Sequence, residues 1–131
     1  MYLHCFADAG KKAWGISIYL RFYNSSANKY EAHLIYATSR VAPTKTILST
    51  PKKELNSIFL ASQKITYIAE ALDIPKPNRY IHTDSLVAMY WINQDKNNLK
   101  VYVSNRVHKI QQMDITILHV PGKENPADLC S

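Results

Sequence analysis

At 131 residues, 47% of them apolar, the chain is long enough for one buried core and too apolar for a disordered tail. No apolar run approaches the roughly 18 residues that cross a bilayer and no charged and apolar leader opens the chain, so an intracellular protein with no membrane partner is expected. A formal net charge of +6 favours an anionic partner, nucleic acid before a membrane surface.

Tyr2, Leu3, Cys5 and Phe6 form a short apolar run that closes on Asp8, Ala9 and Gly10. That pattern predicts a strand in the middle of a sheet, ending on a carboxylate. Lys11 and Lys12 suit an exposed turn. In the next run, Ala13 to Tyr23, Ile16, Ile18 and Leu20 share one face and Ser17, Tyr19 and Arg21 the other. Asn24 to Asn28 is a turn, and Tyr30 to Ser39 a third strand, so the first three strands make an antiparallel meander.

Ser49, Thr50 and Pro51 announce a helix, with a hydroxyl residue at the cap and Pro at its first position. Leu55, Ile58, Ser62, Ile65, Ala69 and Leu72 then recur at helical spacing up to Pro75 and Pro77, and Glu54 is expected in the first turn. Arg79 to Thr83 predicts a fourth strand that ends, like the first, on an acid, Asp84. A strand, helix and strand connection between the two makes them a parallel pair, both acids at one edge of the sheet.

Leu86, Met89, Tyr90 and Asn93 follow a helical period. Leu99 to Met113 predicts another helix with Val103, Val107 and Ile110 inward and Lys100, Arg106 and Lys109 outward, where a basic residue can meet phosphate. Ile115 to Val120 is the fifth strand, followed by a polar loop and Asp128. Cys5 and Cys130 lie at opposite ends without metal-like spacing, so reduced thiols are expected. His82 lies near enough to Asp84 in sequence to bond to it, although a structural role is favoured for it as for His119. His4, His33 and His108 carry no signal.

Asp8, Glu54, Asp84 and Asp128 thus stand at element boundaries. Brought together they would repel one another and titrate as a coupled set unless a cation lay between them. Mg²⁺, which takes hard oxygen ligands and keeps positions open for water and phosphate, suits such a set, and four acids can hold two ions. No Cys or His pairing suggests zinc.

The words Phe6-Ala7-Asp8-Ala9, Pro51-Lys52-Lys53-Glu54-Leu55, Thr83-Asp84-Ser85 and His119-Val120-Pro121-Gly122-Lys123-Glu124-Asn125-Pro126-Ala127-Asp128 stand in the order of the ribonuclease H fold. The chain resembles that fold nearly end to end. More narrowly it is similar to the ribonuclease H domain of LTR retrotransposons, with Ser39-Arg40-Val41-Ala42-Pro43 and Asn105-Arg106-Val107 pointing to the Bel/Pao group. The resemblance implies an α/β fold with a five-stranded mixed sheet, three strands antiparallel and then two parallel, flanked by helices. It implies one domain over residues 1–131, excised from a larger polyprotein and attached there to a reverse transcriptase, in a cytoplasmic retrotransposon particle.

The implied activity is metal-dependent cutting of the RNA strand of an RNA–DNA hybrid. Asp8, Glu54, Asp84 and Asp128 would hold two Mg²⁺, or Mn²⁺ in their place, and Lys11, Lys12, Ser85, Arg106, Lys123 and Asn125 would contact the nucleic acid. The chain departs from the pattern in three places. Cellular relatives carry a mobile His in the loop before the last acid, where Lys123 and Glu124 follow Gly122 here. Leu86 stands where relatives often have Gln, and only Leu129, Cys130 and Ser131 follow Asp128, where relatives add a helix. Two other readings fit the same fold: an inactive module that binds hybrid or packs on a polymerase, and a nuclease of this fold acting on DNA.

Overall fold

The computed structural model describes residues 1–9, 13–41, 50–93 and 100–120. The elements run β1 (Tyr2–Ala9), β2 (Ala13–Asn24), β3 (Lys29–Val41), α1 (Thr50–Ala71), β4 (Arg79–Thr83), α2 (Leu86–Ile92), α3 (Val101–Gln112) and β5 (Thr116–His119). They form one five-stranded sheet in the order β3-β2-β1-β4-β5. The β1–β2 and β2–β3 pairs are antiparallel, and β1–β4 and β4–β5 are parallel. The architecture is the α/β mixed sheet expected from the sequence, with β1 at its centre.

Side-chain alternation divides the sheet into two faces. Leu3, Cys5 and Ala7 of β1, Ile16 and Ile18 of β2 and Ile81 of β4 are buried on one face. Against them α1 lays Leu55, Ile58, Ala61, Ile65 and Ala69, all fully buried. Removing a Leu or Ile side chain of this set from water gains roughly 1.5–3 kcal/mol. Val103, Val107 and Ile110 of α3 extend the same core, as the period of that segment predicts. Burial pushes the Cys5 thiol well above its usual range, so Cys5 is an inert core residue.

α1 ends in a Schellman arrangement. Ile74 donates its backbone N–H to Ala69 and Asp73 donates to Glu70, with Asp73 at φ 56°. Ile74 is buried after the reversal, whereas Leu72, expected in the core stripe, is 40% exposed because the helix has already stopped at Ala71. Arg79, almost wholly buried at the start of β4, closes this corner. Its Nε and Nη2 donate to the Ile74 carbonyl at 3.0 and 2.8 Å, and Nη2 lies 3.3 Å from Glu70 Oε1.

α2 departs from its expected face. Ala88 and Ile92 are buried, while Leu86 and Tyr90 are more than 60% exposed. The sequence period followed the larger apolar residues, but a seven-residue helix packed against α1 and α3 brings its small residue inward.

His82 is also placed otherwise than its spacing from Asp84 suggested. It alternates onto the face away from α1, where its Nε2 lies 2.8 Å from Nδ1 of His4. The pair is buried and stacked, His4 on Tyr80 with centroids 5.0 Å apart and His82 on Phe6 at 4.6 Å. One imidazole donates and the other accepts, which requires the accepting ring to be neutral. Burial, then the neighbouring His82 and Arg21, lower the His4 pKa to about 3, and burial and then Arg21 lower that of His82. The unfolded chain therefore binds more protons than the folded one below the ordinary histidine value of about 6.5, and stability falls as the pH drops from there toward 3. Each imidazole contributes a slope of up to about 1.4 kcal/mol per pH unit. Urea unfolding between pH 7 and 5 is expected to show this loss, and the double variant His4→Phe, His82→Phe is expected to show a flatter profile. An unchanged slope in the double variant would place the acid sensitivity elsewhere.

Candidate active site at the carboxyl edge of the sheet

In the parallel pair β1–β4, Ala7 is the register partner of Thr83. The next residue is Asp8 on one strand and Asp84 on the other. Two neighbouring parallel strands, about 4.8 Å apart, thus carry an aspartate at matching positions of their carboxyl ends. Such an edge is where open α/β sheets collect ligands. Across the antiparallel pairing, the partner of Asp8 is Gly15, which brings no side chain to that position.

Asp84 is exposed, and its carboxylate has no hydrogen bond or ion pair among the described residues. The turn that carries it is held on both sides. Ser85 donates its backbone N–H to Thr83 Oγ1 at 3.2 Å, and its own hydroxyl caps α2 by accepting from the Ala88 N–H at 3.1 Å. From the other side, Val120 donates its N–H to the Thr83 carbonyl, and His119 Nε2 lies 3.2 Å from the Asp84 carbonyl. A carbonyl only accepts, so this last bond requires the proton on Nε2 of His119. The sequence reading of His119 as structural fits this bond, although nothing in the sequence pointed to its partner.

Glu54 lies on α1, the helix that packs over β1, and its half-buried carboxylate also has no partner among the described residues. It belongs to the second turn rather than the first, since the helix starts at Thr50. Its place therefore owes nothing to the helix dipole, whose effect is confined to the end turn. Its neighbour Leu55 is fully buried, which fixes the rotation of this part of the helix.

Two residues expected at a nucleic-acid surface are occupied internally. The Ser85 side chain is buried as the α2 cap. Arg106, expected on the outer side of α3, is half-buried and donates from Nε to Asn56 Oδ1 of α1 at 2.8 Å. Lys109, also expected outward, is exposed, and its ammonium sits 5.7 Å from the Phe59 ring centroid. Lys11, Lys12, Lys123, Asn125 and Asp128 lie outside the described residues. Among the described residues no group of three His, Cys, Asp or Glu side chains is assembled to hold a metal. No helix among them is long and apolar enough to cross a membrane.

Comparison with known structures finds the same fold. Ribonuclease H1 from the halophilic archaeon Halobacterium salinarum superposes with a TM-score of 0.58 at 11% identity, over 98% of this chain and 89% of that one. LC11 ribonuclease H1, isolated from compost by a metagenomic approach, gives 0.58 at 12% identity over 92% and 84% of the two chains. The same LC11 enzyme in complex with an RNA/DNA hybrid gives 0.56 at 10% identity, with the same coverage. At these identities the likeness is one of fold. By sequence, no curated protein matches the chain. The family described as the Pao retrotransposon-like RNaseH-like domain matches residues 1–85, which contain β1 to β4 and three of the four acids. The chain belongs to the Pao retrotransposon-like RNaseH-like family.

Proposed function

We propose that this domain is a metal-dependent endonuclease that hydrolyses the RNA strand of an RNA–DNA hybrid during retrotransposon reverse transcription. The observation that carries the reading is the Ala7–Thr83 register, which puts an aspartate next in line on each of two neighbouring parallel strands. The family match and the hybrid bound by the LC11 enzyme support the same substrate class. In this reading Glu54 and Asp128 complete the set.

The donor chemistry fits hard divalent cations, because the carboxylates of Asp84 and Glu54 have no competing partner among the described residues. Bound there, two Mg²⁺ ions, or Mn²⁺ in their place, would lower the pKa of a water and neutralise the charge that gathers on the phosphate. Asp8, at the end of the central strand, would help to hold them. The Ser85 cap and the His119 bond keep the Asp84 turn from moving when phosphate approaches. Lys11, Lys12, Lys123 and Asn125 are the proposed phosphate contacts. Ser85 and Arg106 act on the nucleic acid through the structure they hold. The 2′-hydroxyls in a wide minor groove mark the RNA strand for cutting. The reverse transcriptase domain of the same polyprotein would deliver the hybrid, in a cytoplasmic particle.

Cleavage of a labelled RNA–DNA hybrid in Mg²⁺ and in Mn²⁺, beside a duplex DNA control, tests the reading. The RNA strand alone is expected to be cut, and Asp84→Asn is expected to lower the rate by at least about a hundredfold with the melting temperature unchanged. Hybrid binding without any cutting would replace the nuclease with a binding module.

The position of Lys123 generates a second expectation, because product leaves more slowly where no titrating imidazole is present to help it go. Lys123→His should raise the steady-state rate several-fold more than the single-turnover rate. Equal effects on both rates would remove Lys123 from product release.

A further inference from the structure

Gly15 is the only glycine among the described residues, and it lies inside β2 as the register partner of Asp8. Glycine suits a strand interior poorly, because it loses the most backbone freedom on folding and brings nothing to pack. Where one is found in a strand, it marks a left-handed backbone, a bulge, the close approach of another part of the chain, or a ligand that comes in close. The first three do not apply here. Among the described residues no glycine has a positive φ. The pairing runs through Gly15 without a shift on either side, to Asp8 on β1 and to Ser39 on β3. A Cβ added at Gly15 would lie 3.4 Å from the Thr38 carbonyl oxygen and 3.8 Å from Ser39 Cβ, ordinary contacts that need no rearrangement among the described residues. Neither the backbone nor its described surroundings require a glycine, which leaves the ligand.

The two aspartates are flanked differently on their two sides. Toward β5, the His119 imidazole lies against the Asp84 carbonyl and Val120 is bonded to Thr83. Toward β2, the position opposite Asp8 carries no side chain. Directly opposite residues of an antiparallel pair have Cβ atoms roughly 5 Å apart on one face, so any side chain at position 15 would fill the space next to position 8. A sugar–phosphate chain is wider than the roughly 4.8 Å between strands. One that brings a phosphate to Asp8 and Asp84 therefore also lies over a neighbouring strand, and β2 is the side left bare.

We propose that Gly15 reserves the space over β2 for the sugar–phosphate of the strand being cut, and that its lack of a side chain sets how closely the phosphate approaches the acids. The proposal rests on the nuclease reading of this edge. Gly15 holds nothing and takes no part in the chemistry; it determines access. The substitution that would stabilise β2 is then the one that closes the site.

The test compares Gly15→Ala and Gly15→Val with the unsubstituted full chain, and with Ser17→Val, two residues further along β2 and opposite Phe6. Affinity for a fluorescent RNA–DNA hybrid is read by anisotropy with Ca²⁺ in place of Mg²⁺, and single-turnover cutting is read in Mg²⁺. Affinity is expected to fall roughly threefold with alanine and at least about tenfold with valine. The cutting rate is expected to fall roughly tenfold and a hundredfold, while the melting temperature of both variants is unchanged or higher. Ser17→Val is expected to keep affinity and rate within about twofold of the unsubstituted chain. Gly15→Val that binds and cuts like the unsubstituted chain overturns the proposal. So do losses that track a lowered melting temperature, which would make the glycine a packing residue, and equal losses in Ser17→Val. An unsubstituted chain that binds hybrid without cutting it removes the nuclease reading alone, and the affinities then decide the role of Gly15. One that neither binds nor cuts removes both.

Discussion

The parallel pairing of β1 with β4 is the constraint on which the rest of the molecule depends. β1 is hydrogen-bonded on both sides, so its residues have no freedom of register, and a slip of one residue would exchange its core and outer faces. The same ladder decides the site, because Asp8 and Asp84 are neighbours only while Ala7 stays opposite Thr83. The crossover that makes the pairing possible is α1. Its buried stripe clamps β1, β2 and β4 together, and the Arg79 corner sets where β4 begins. Stability and the proposed function are therefore not separable along this strand pair.

Much of this was legible in the chain itself. The apolar run Tyr2 to Phe6, the strand alternation in Ala13 to Tyr23, the helical recurrence of Leu55 to Ala69, and the run Arg79 to Thr83 all correspond to elements of the fold. They could be read because burial imposes periods of 2 and 3.6 that a single sequence displays. The two acids at strand ends were legible for the same reason, since each follows immediately on an apolar run. What the sequence hid were contacts between segments distant in the chain. The pairing of His4 with His82 spans 78 positions, and the bond from Arg106 to Asn56 spans 50. Neither leaves a local pattern. The face of α2 was misread because the helix is short and buries Ala88, a residue whose size gives no signal.

The polar residues divide by what holds them. Ser85, His119 and Arg106 spend hydrogen bonds on the protein itself, on the Asp84 turn or on the contact of α3 with α1. Asp84 and Glu54 spend none on the described residues. That division is what a preorganised site needs: uncommitted acids on backbone that is fixed by committed neighbours.

The separation of β1 from β4 in the chain also governs how the protein is born. The meander β1–β2–β3 has short links and completes itself early in synthesis. β4 follows on the order of 70 residues after β1, several seconds later at ordinary elongation rates. During that interval the strand destined for the centre of the sheet is an open edge, with Leu3, Cys5 and Ala7 waiting for a cover. α1 emerges before β4 and supplies the cover for those side chains, but the backbone edge stays bare until Arg79 to Thr83 arrive. Until β4 arrives, the nascent chain thus carries a bare backbone edge at the strand that bears the first acid.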